Sequence, residues 1–191
     1  MVTKSISNKI KKIKLIIFDV DGVLTDGKKT YDKNGQKFSK SFGDLDFTAI
    51  KILMSLNFKV IWLSGDKIVN EPLAKVKNIP FYTTRLANGK SSDKVDIFPK
   101  ILKNYNCNKE ETWFIGDDLF DLGLLKIVGL SSCPSNASFL IKKDVDLVHK
   151  SKSGENIASE VLELIFLTKK INSVDIDKIY KLQAKEATFN L

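Results

Sequence analysis

The stretch Ile13-Lys14-Leu15-Ile16-Ile17-Phe18-Asp19-Val20-Asp21-Gly22 decides the fold. An apolar run rich in Ile, Leu and Phe and closed by glycine is the pattern of a buried strand in a parallel sheet. Its two carboxylates, Asp19 and Asp21, fall at the C-terminal end of that strand. Ligands of open α/β sheets bind in the crevice outside the carboxyl ends of the strands, so acids placed there face a site. Two like charges held this close need a cation or a shared proton.

The spacing alone is weak, because Asp-x-Asp occurs four times, and context separates the copies. Asp44 and Asp46 precede the apolar-periodic stretch Leu45 to Leu56 and read as helix-start acids. Asp144 and Asp146 flank a short strand-like segment with no glycine turn after it. Asp175 and Asp177 lie in a polar stretch. Only Asp19 and Asp21 end an apolar run that then turns on glycine.

Outward from that strand, apolar segments alternate with helical patterns. Strands are predicted over Ile13 to Asp19, Lys59 to Leu63, near Phe81, and over Thr112 to Ile115, Gly129 to Ser132 and Val145 to Val148. Helices are predicted over Leu45 to Leu56, Ile68 to Lys77, Ser92 to Tyr105 (tolerating Pro99), Leu119 to Ile127, Asn136 to Lys142 and Glu155 to Leu167. This alternation implies right-handed βαβ units, hence an α/β fold: a Rossmann-like parallel sheet sandwiched by helices. One insert breaks the rhythm. Lys28 to Asp32 and Gln36 to Phe42 flank Lys33-Asn34-Gly35, a strong hairpin signal, placed where it would hang over the acidic strand end as a flap. The expectation is a single domain over 1–191, with the flap at about 26–43, no large cap domain, and an amphipathic C-terminal tail at about 171–191.

With 191 residues, 43% of them hydrophobic, the chain can bury a substantial core. It has no run of eighteen apolar residues and no signal-peptide pattern at Met1 to Lys14, so no membrane span and a cytoplasmic setting are expected. Cys107 and Cys133 lack metal-ligand spacing and read as reduced structural residues. The net charge is +8, but Arg85 is the only arginine and the lysines are scattered. Forked readout of phosphate and bases favours arginine, so nucleic acid is not the expected partner; a positive surface suits small anionic substrates. With His149 the only histidine, carboxylates and lysines are left to carry any chemistry.

Three further segments bring reactive groups to the same sheet edge. Val60 to Leu63 runs into Ser64-Gly65-Asp66, offering a hydroxyl and a glycine-exposed amide for a phosphate oxygen. Lys94 stands near a helix start after Ser91-Ser92-Asp93. Thr112 to Ile115 runs into Gly116-Asp117-Asp118-Leu119-Phe120-Asp121, a third carboxylate cluster.

Taken in order, Asp19-Val20-Asp21-Gly22, Ser64-Gly65, Lys94 and Gly116-Asp117-Asp118 resemble the haloacid dehalogenase superfamily of phosphotransferases, over about Ile13 to Leu167. Asp19 to Gly27, the hairpin insert, Ser92-Asp93-Lys94, Gly116 to Leu122 and the loop Ser153-Gly154-Glu155 look like its 3-deoxy-D-manno-octulosonate 8-phosphate phosphatase family. The resemblance implies the haloacid dehalogenase fold and a phosphatase of a phosphorylated keto-deoxy sugar acid. It also implies Asp19 as nucleophile forming an aspartyl-phosphate and Asp21 as acid and then base. Mg²⁺ would be held by Asp19, the Asp21 carbonyl and Asp117, and the phosphoryl oxygens by Ser64, the Gly65 amide and Lys94. Asp118 and Asp121 would be capping or supporting groups. A homotetramer with meeting hairpins, in which a neighbour's tail or hairpin closes the site, is implied as well.

Two departures stand out. The family commonly has Thr-Gly-Arg where this chain has Ser64-Gly65-Asp66-Lys67, and the arginine often found after the hairpin is missing from Ser41-Phe42-Gly43-Asp44. Acid followed by lysine is more similar to relatives acting on nine-carbon sialic-type acid 9-phosphates, which is the alternative substrate. Two rivals come from other classes. One is a catalytically silent regulatory domain binding Mg²⁺ or a sugar acid. The other is a phosphate-accepting receiver domain, which has no hairpin after the first acidic strand and no need for Asp21 as an acid.

Overall fold

A computed structural model of the chain describes residues 3–86 and 89–171. The amphipathic tail expected over 171–191 lies, apart from Ile171, outside the described residues. In chain order the elements are α1 (Lys4–Lys12), β1 (Leu15–Phe18), β2 (Thr30–Tyr31), β3 (Lys37–Ser39), α2 (Asp44–Ser55), β4 (Lys59–Ser64) and α3 (Asn70–Val76). They continue with β5 (Phe81–Thr83), α4 (Lys94–Tyr105), β6 (Thr112–Ile115), α5 (Leu122–Leu125), β7 (Leu130–Cys133), α6 (Phe139–Lys142), β8 (Leu147–Val148) and α7 (Ile157–Lys169).

Six strands form one parallel sheet in the order β5-β4-β1-β6-β7-β8. Side chains of β1 alternate between two cores, as a doubly covered strand requires. Ile16 and Phe18 pack with Ala49, Ile50 and Leu53 of α2 and Val161 and Ile165 of α7. Leu15 and Ile17 pack on the other face with Phe98 and Ile101 of α4 and Leu124 and Leu125 of α5. The chain leaves β1 toward β4 on one side and returns to β6 on the other, so the crevice of this topology opens at the C-terminal end of β1.

The hairpin forms, with a turn of a different kind from the two-residue Asn-Gly type. Asp32 N donates to Gln36 O at 2.8 Å and Gly35 N to Asp32 O at 3.0 Å. Gly35 alone takes positive φ, at 74°, while Asn34 does not. Asp32 Oδ1 also accepts from Asn34 N and Gln36 N, both at 2.8 Å, so the aspartate organises a longer loop that ends on a glycine bulge. The paired strands are shorter than predicted, and Phe42, three residues beyond β3, stacks on Trp62, centroid to centroid 5.8 Å.

Some boundaries shift. The predicted first strand ends at Phe18, so Asp19 and Asp21 stand just beyond it, although Asp19 N still donates to Ile115 O at 2.9 Å. Helix α1 was not predicted at all. Thr3 Oγ1 caps it through Ile6 N at 3.3 Å, and only Ile6 and Ile10 bury, a two-residue stripe among lysines. Asp46 starts α2 as expected but also caps another helix: its Oδ1 accepts from Ala158 N at 2.8 Å and Ser159 N at 3.3 Å.

Candidate active site

The pocket at the carboxyl end of β1 gathers Asp19, Asp21, Ser64, Gly65, Lys94 and Asp117, the six residues expected to carry the chemistry. Asp19 is delivered by the end of β1, Ser64 by the last residue of β4 and Asp117 by the turn after β6. Lys94 is the first residue of α4, whose start is fixed by a capping box between Asp93 and Asp96. Gly22 allows the close approach: at φ 93° it turns the chain so that a Cβ there would fall 2.1 Å from Asp117 Oδ2.

Lys94 Nζ lies 2.5 Å from both Asp19 Oδ1 and Asp121 Oδ1, all three groups being buried. Asp121 is only 1% exposed, and its Oδ2 accepts from Asp117 N at 2.9 Å and Asp118 N at 3.2 Å. It thus caps the turn as expected and also belongs to the acid cluster. Asp118 is exposed and caps its own turn through Leu119 N.

Asp21 faces a different set of partners. Its Oδ2 accepts from Ser64 Oγ at 3.2 Å and Asn70 Nδ2 at 3.1 Å, and its Oδ1 lies 2.6 Å from Lys40 Nζ. Lys40, immediately after β3, has a side chain with 0% exposure and also reaches Asp66 Oδ2 at 2.7 Å and Asn70 Oδ1 at 3.0 Å. Lys37 adds a second contact to Asp66 Oδ2, at 2.8 Å. Asp66 is therefore the anchor of the hairpin's lysines. Lys67 turns away to pair with Glu71 at 3.6 Å on the surface.

The carboxyls of Asp19 and Asp117 shift in the opposite direction from that of Asp66. Burial pushes Asp19 up to about 7, against the pull of Lys94 and with the push of Asp121 and Asp21. Burial, with Asp19 and Asp121 nearby, pushes Asp117 up to about 8. Burial opposes the charge on Lys94 too, yet Asp19 and Asp121 outweigh it and hold the ammonium above the usual lysine range. Burial would raise Asp66 as well, but Lys37 and Lys40 outweigh it and hold that carboxyl at about 2.

Asp19, Asp117 and Asp121 each offer a carboxylate oxygen within 4.8 Å of one another, and Asp117 Oδ1 is buried without a hydrogen-bond partner. An acceptor buried without a donor is costly, and hard oxygen ligands crowded together suit a divalent cation such as Mg²⁺. The donor set fits a metal.

Lys29, Lys37, Lys40, Asn70 and Arg85 were not anticipated at the site. A lysine's direction cannot be read from a chain with 31 basic residues. The one available signal was rarity, and it applied to Arg85. The loop Ser153-Gly154 packs behind the pocket, Gly154 N donating to Val23 O at 2.9 Å.

A family profile described as haloacid dehalogenase-like hydrolase matches residues 77–161. The 3-deoxy-D-manno-octulosonate 8-phosphate phosphatase of Haemophilus influenzae is 32% identical over 166 residues, covering 87% of this chain and 89% of that protein. A cobalt-bound structure of the Haemophilus influenzae enzyme superposes with a TM-score of 0.76 at 33% identity, covering 85% of this chain and 92% of that one. The structure of the Yersinia pestis phosphatase of the same name gives a TM-score of 0.80 at 29% identity over 88% of this chain and 89% of that one.

Proposed function

Because the chain belongs to the 3-deoxy-D-manno-octulosonate 8-phosphate phosphatase family of haloacid dehalogenase-like hydrolases, we propose that it is a Mg²⁺-dependent phosphomonoesterase acting on a phosphorylated keto-deoxy sugar acid through an aspartyl-phosphate. The observation that carries this reading is Asp19, a buried carboxylate 2.5 Å from Lys94 Nζ, beside an Asp117 oxygen left without a partner. A carboxylate nucleophile needs its anionic target neutralised, and these groups supply or invite the charge to do so.

The Asp19 carboxylate, the Asp21 backbone carbonyl and the Asp117 carboxylate are the groups that would hold Mg²⁺. When bound, it neutralises phosphoryl oxygens and so admits a second anion beside Asp19. Asp19 attacks phosphorus in line; a P–O bond forms to its carboxylate as the ester P–O bond breaks. Asp21 gives its proton to the departing alkoxide oxygen. It then takes a proton from water, whose oxygen attacks phosphorus and breaks the bond to Asp19, releasing inorganic phosphate. Lys94, the Gly65 amide and the Ser64 hydroxyl hold the phosphoryl oxygens. Ser64 Oγ, now donating to Asp21, reaches a phosphoryl oxygen by rotation of its hydroxyl.

The reading extends to a cytoplasmic homotetramer built through the hairpins, a surface on which Tyr31 and Phe38 are exposed. Light scattering would give the mass, and a monomer would remove that part alone. Among the described residues, no helix is long and apolar enough to cross a membrane.

The test is phosphate release, with Mg²⁺, from 3-deoxy-D-manno-octulosonate 8-phosphate and from nine-carbon sialic-type acid 9-phosphates, with Asp19→Asn as control. Release from either that disappears in the control supports the reading and selects the substrate. Release from neither would move the assignment to a silent binding domain or to a substrate outside this family.

A further inference from the structure

The pocket is lined by four cationic side chains, Lys29, Lys37, Lys94 and Arg85, and three of them answer carboxylates of the protein. Lys94 sits between Asp19 and Asp121, Lys37 lies on Asp66, and Lys29 Nζ is 3.9 Å from Asp21 Oδ1. Arg85 differs: it is the chain's only arginine, and no carboxylate of the described residues lies within ion-pair distance of it.

Arg85 is nevertheless held in place. Its Nε donates to Gly65 O at 3.2 Å, and its backbone N donates to Thr83 Oγ1 at 3.1 Å. Arg85 also pairs with Ser91 in an isolated antiparallel bridge, and beside it Leu86 N donates to Lys90 O at 2.8 Å. A carbonyl orients a guanidinium without cancelling its charge. The result is an exposed but oriented guanidinium, without a carboxylate partner among the described residues, at a pocket whose other lining cations are matched; a fork of donors so placed suits an anion brought by a ligand.

A phosphorylated sugar acid brings two anions. The phosphoryl group is provided for by Lys94, Ser64 and the metal-binding acids. We propose that Arg85 receives the other anion, the carboxylate of the substrate, in a forked pair, and so makes this chain selective for acids over neutral phosphate esters. Gly65 joins the two subsites, its amide serving the phosphoryl group and its carbonyl setting the guanidinium. The proposal rests on the phosphatase reading above.

Steady-state kinetics of the full chain test it, with wild type, Arg85→Ala, Arg85→Gln and Arg85→Lys assayed on the sugar acid phosphate and on p-nitrophenyl phosphate, which has no carboxylate. For Arg85→Ala and Arg85→Gln, kcat/KM on the acid should fall about tenfold to a hundredfold further than on p-nitrophenyl phosphate, mainly through KM. Arg85→Lys should recover only part of the difference, because an ammonium lacks the fork. Equal losses on both substrates would assign Arg85 to the phosphoryl group, and no loss on either would make it a surface residue. Both outcomes overturn the proposal while leaving the phosphatase reading intact. A wild-type enzyme that cleaves p-nitrophenyl phosphate but no sugar acid phosphate would overturn the substrate reading and this proposal together.

Discussion

On the hairpin side of the pocket, Asp66 uses both its oxygens: Oδ2 takes Lys37 and Lys40, and Oδ1 accepts from Ile68 N at 3.2 Å. On the side nearest β6, Asp117 Oδ1 has no partner, and three carboxylates share one ammonium or none. The chain carries its own cations to the first group and leaves the second short. An open buried acceptor crowded by two further carboxylates, as Asp117 Oδ1 is by Asp19 and Asp121, is where a metal belongs.

The contrast can be broken most severely at Asp117. In Asp117→Asn, Mg²⁺-dependent phosphate release should fall by at least about a hundredfold, and the thermal stabilisation that Mg²⁺ gives the wild type should vanish. A retained Mg²⁺ shift would mean that the open demand is not for a metal.

Removing Lys40 tests the closed side. Lys40 Nζ bridges Asp21 and Asp66, and Lys37 still reaches Asp66 when it is gone, so Lys40→Ala or the similar-sized Lys40→Met should cost about 2 to 3 kcal/mol in denaturant unfolding, from the bridge and the buried carboxyl of Asp21. A cost under about 1 kcal/mol would show the buried ammonium to be dispensable.

The two sides should also respond to pH with opposite signs. When folded, Asp19 and Asp117 keep protons up to about 7 and 8, whereas the unfolded chain releases them near 4. The folded state therefore binds more protons between those values, and with divalent cations chelated the melting temperature should fall as pH rises from about 5 to 8. Asp66, held at about 2, contributes stability that is complete above about 4 and lost as pH falls toward 2. Mg²⁺ should flatten only the alkaline limb of a melting curve series, and Asp66→Asn only the acid limb.

The smallest effect belongs to Lys37. Its ammonium is partly solvated, and Lys40 still serves Asp66 when it is gone, so Lys37→Ala should cost less than about 1 kcal/mol. A larger cost would make the hairpin tip a structural support of the pocket.

What was legible in the sequence divides along the same line. Asp19, Ser64 and Asp117 could be placed because each follows an apolar strand, and a parallel sheet brings strand ends together regardless of side-chain detail. Lys40 and Asn70 could not, since they sit in polar segments and their direction depends on how the hairpin folds back over the edge. The turn of that hairpin was foreseen through Asn34-Gly35, yet the aspartate before it changed its geometry. Helix α1 escaped because two isoleucines among lysines give too narrow a stripe to register as periodicity.

The register of β1 has a consequence for how the molecule comes into being. Leu15 pairs with Lys59 and with Thr112, partners 44 and 97 residues further along the chain. Closing such long loops is slow, and the central strand has no ladder until distant segments arrive. A nascent chain that has emerged only through β5 can seat β1 against β4 but lacks Lys94, Asp117 and Asp121. The cluster is thus assembled late, when β6 closes the second flank, and truncated or stalled chains would carry Asp19 without the neighbours that give it a purpose.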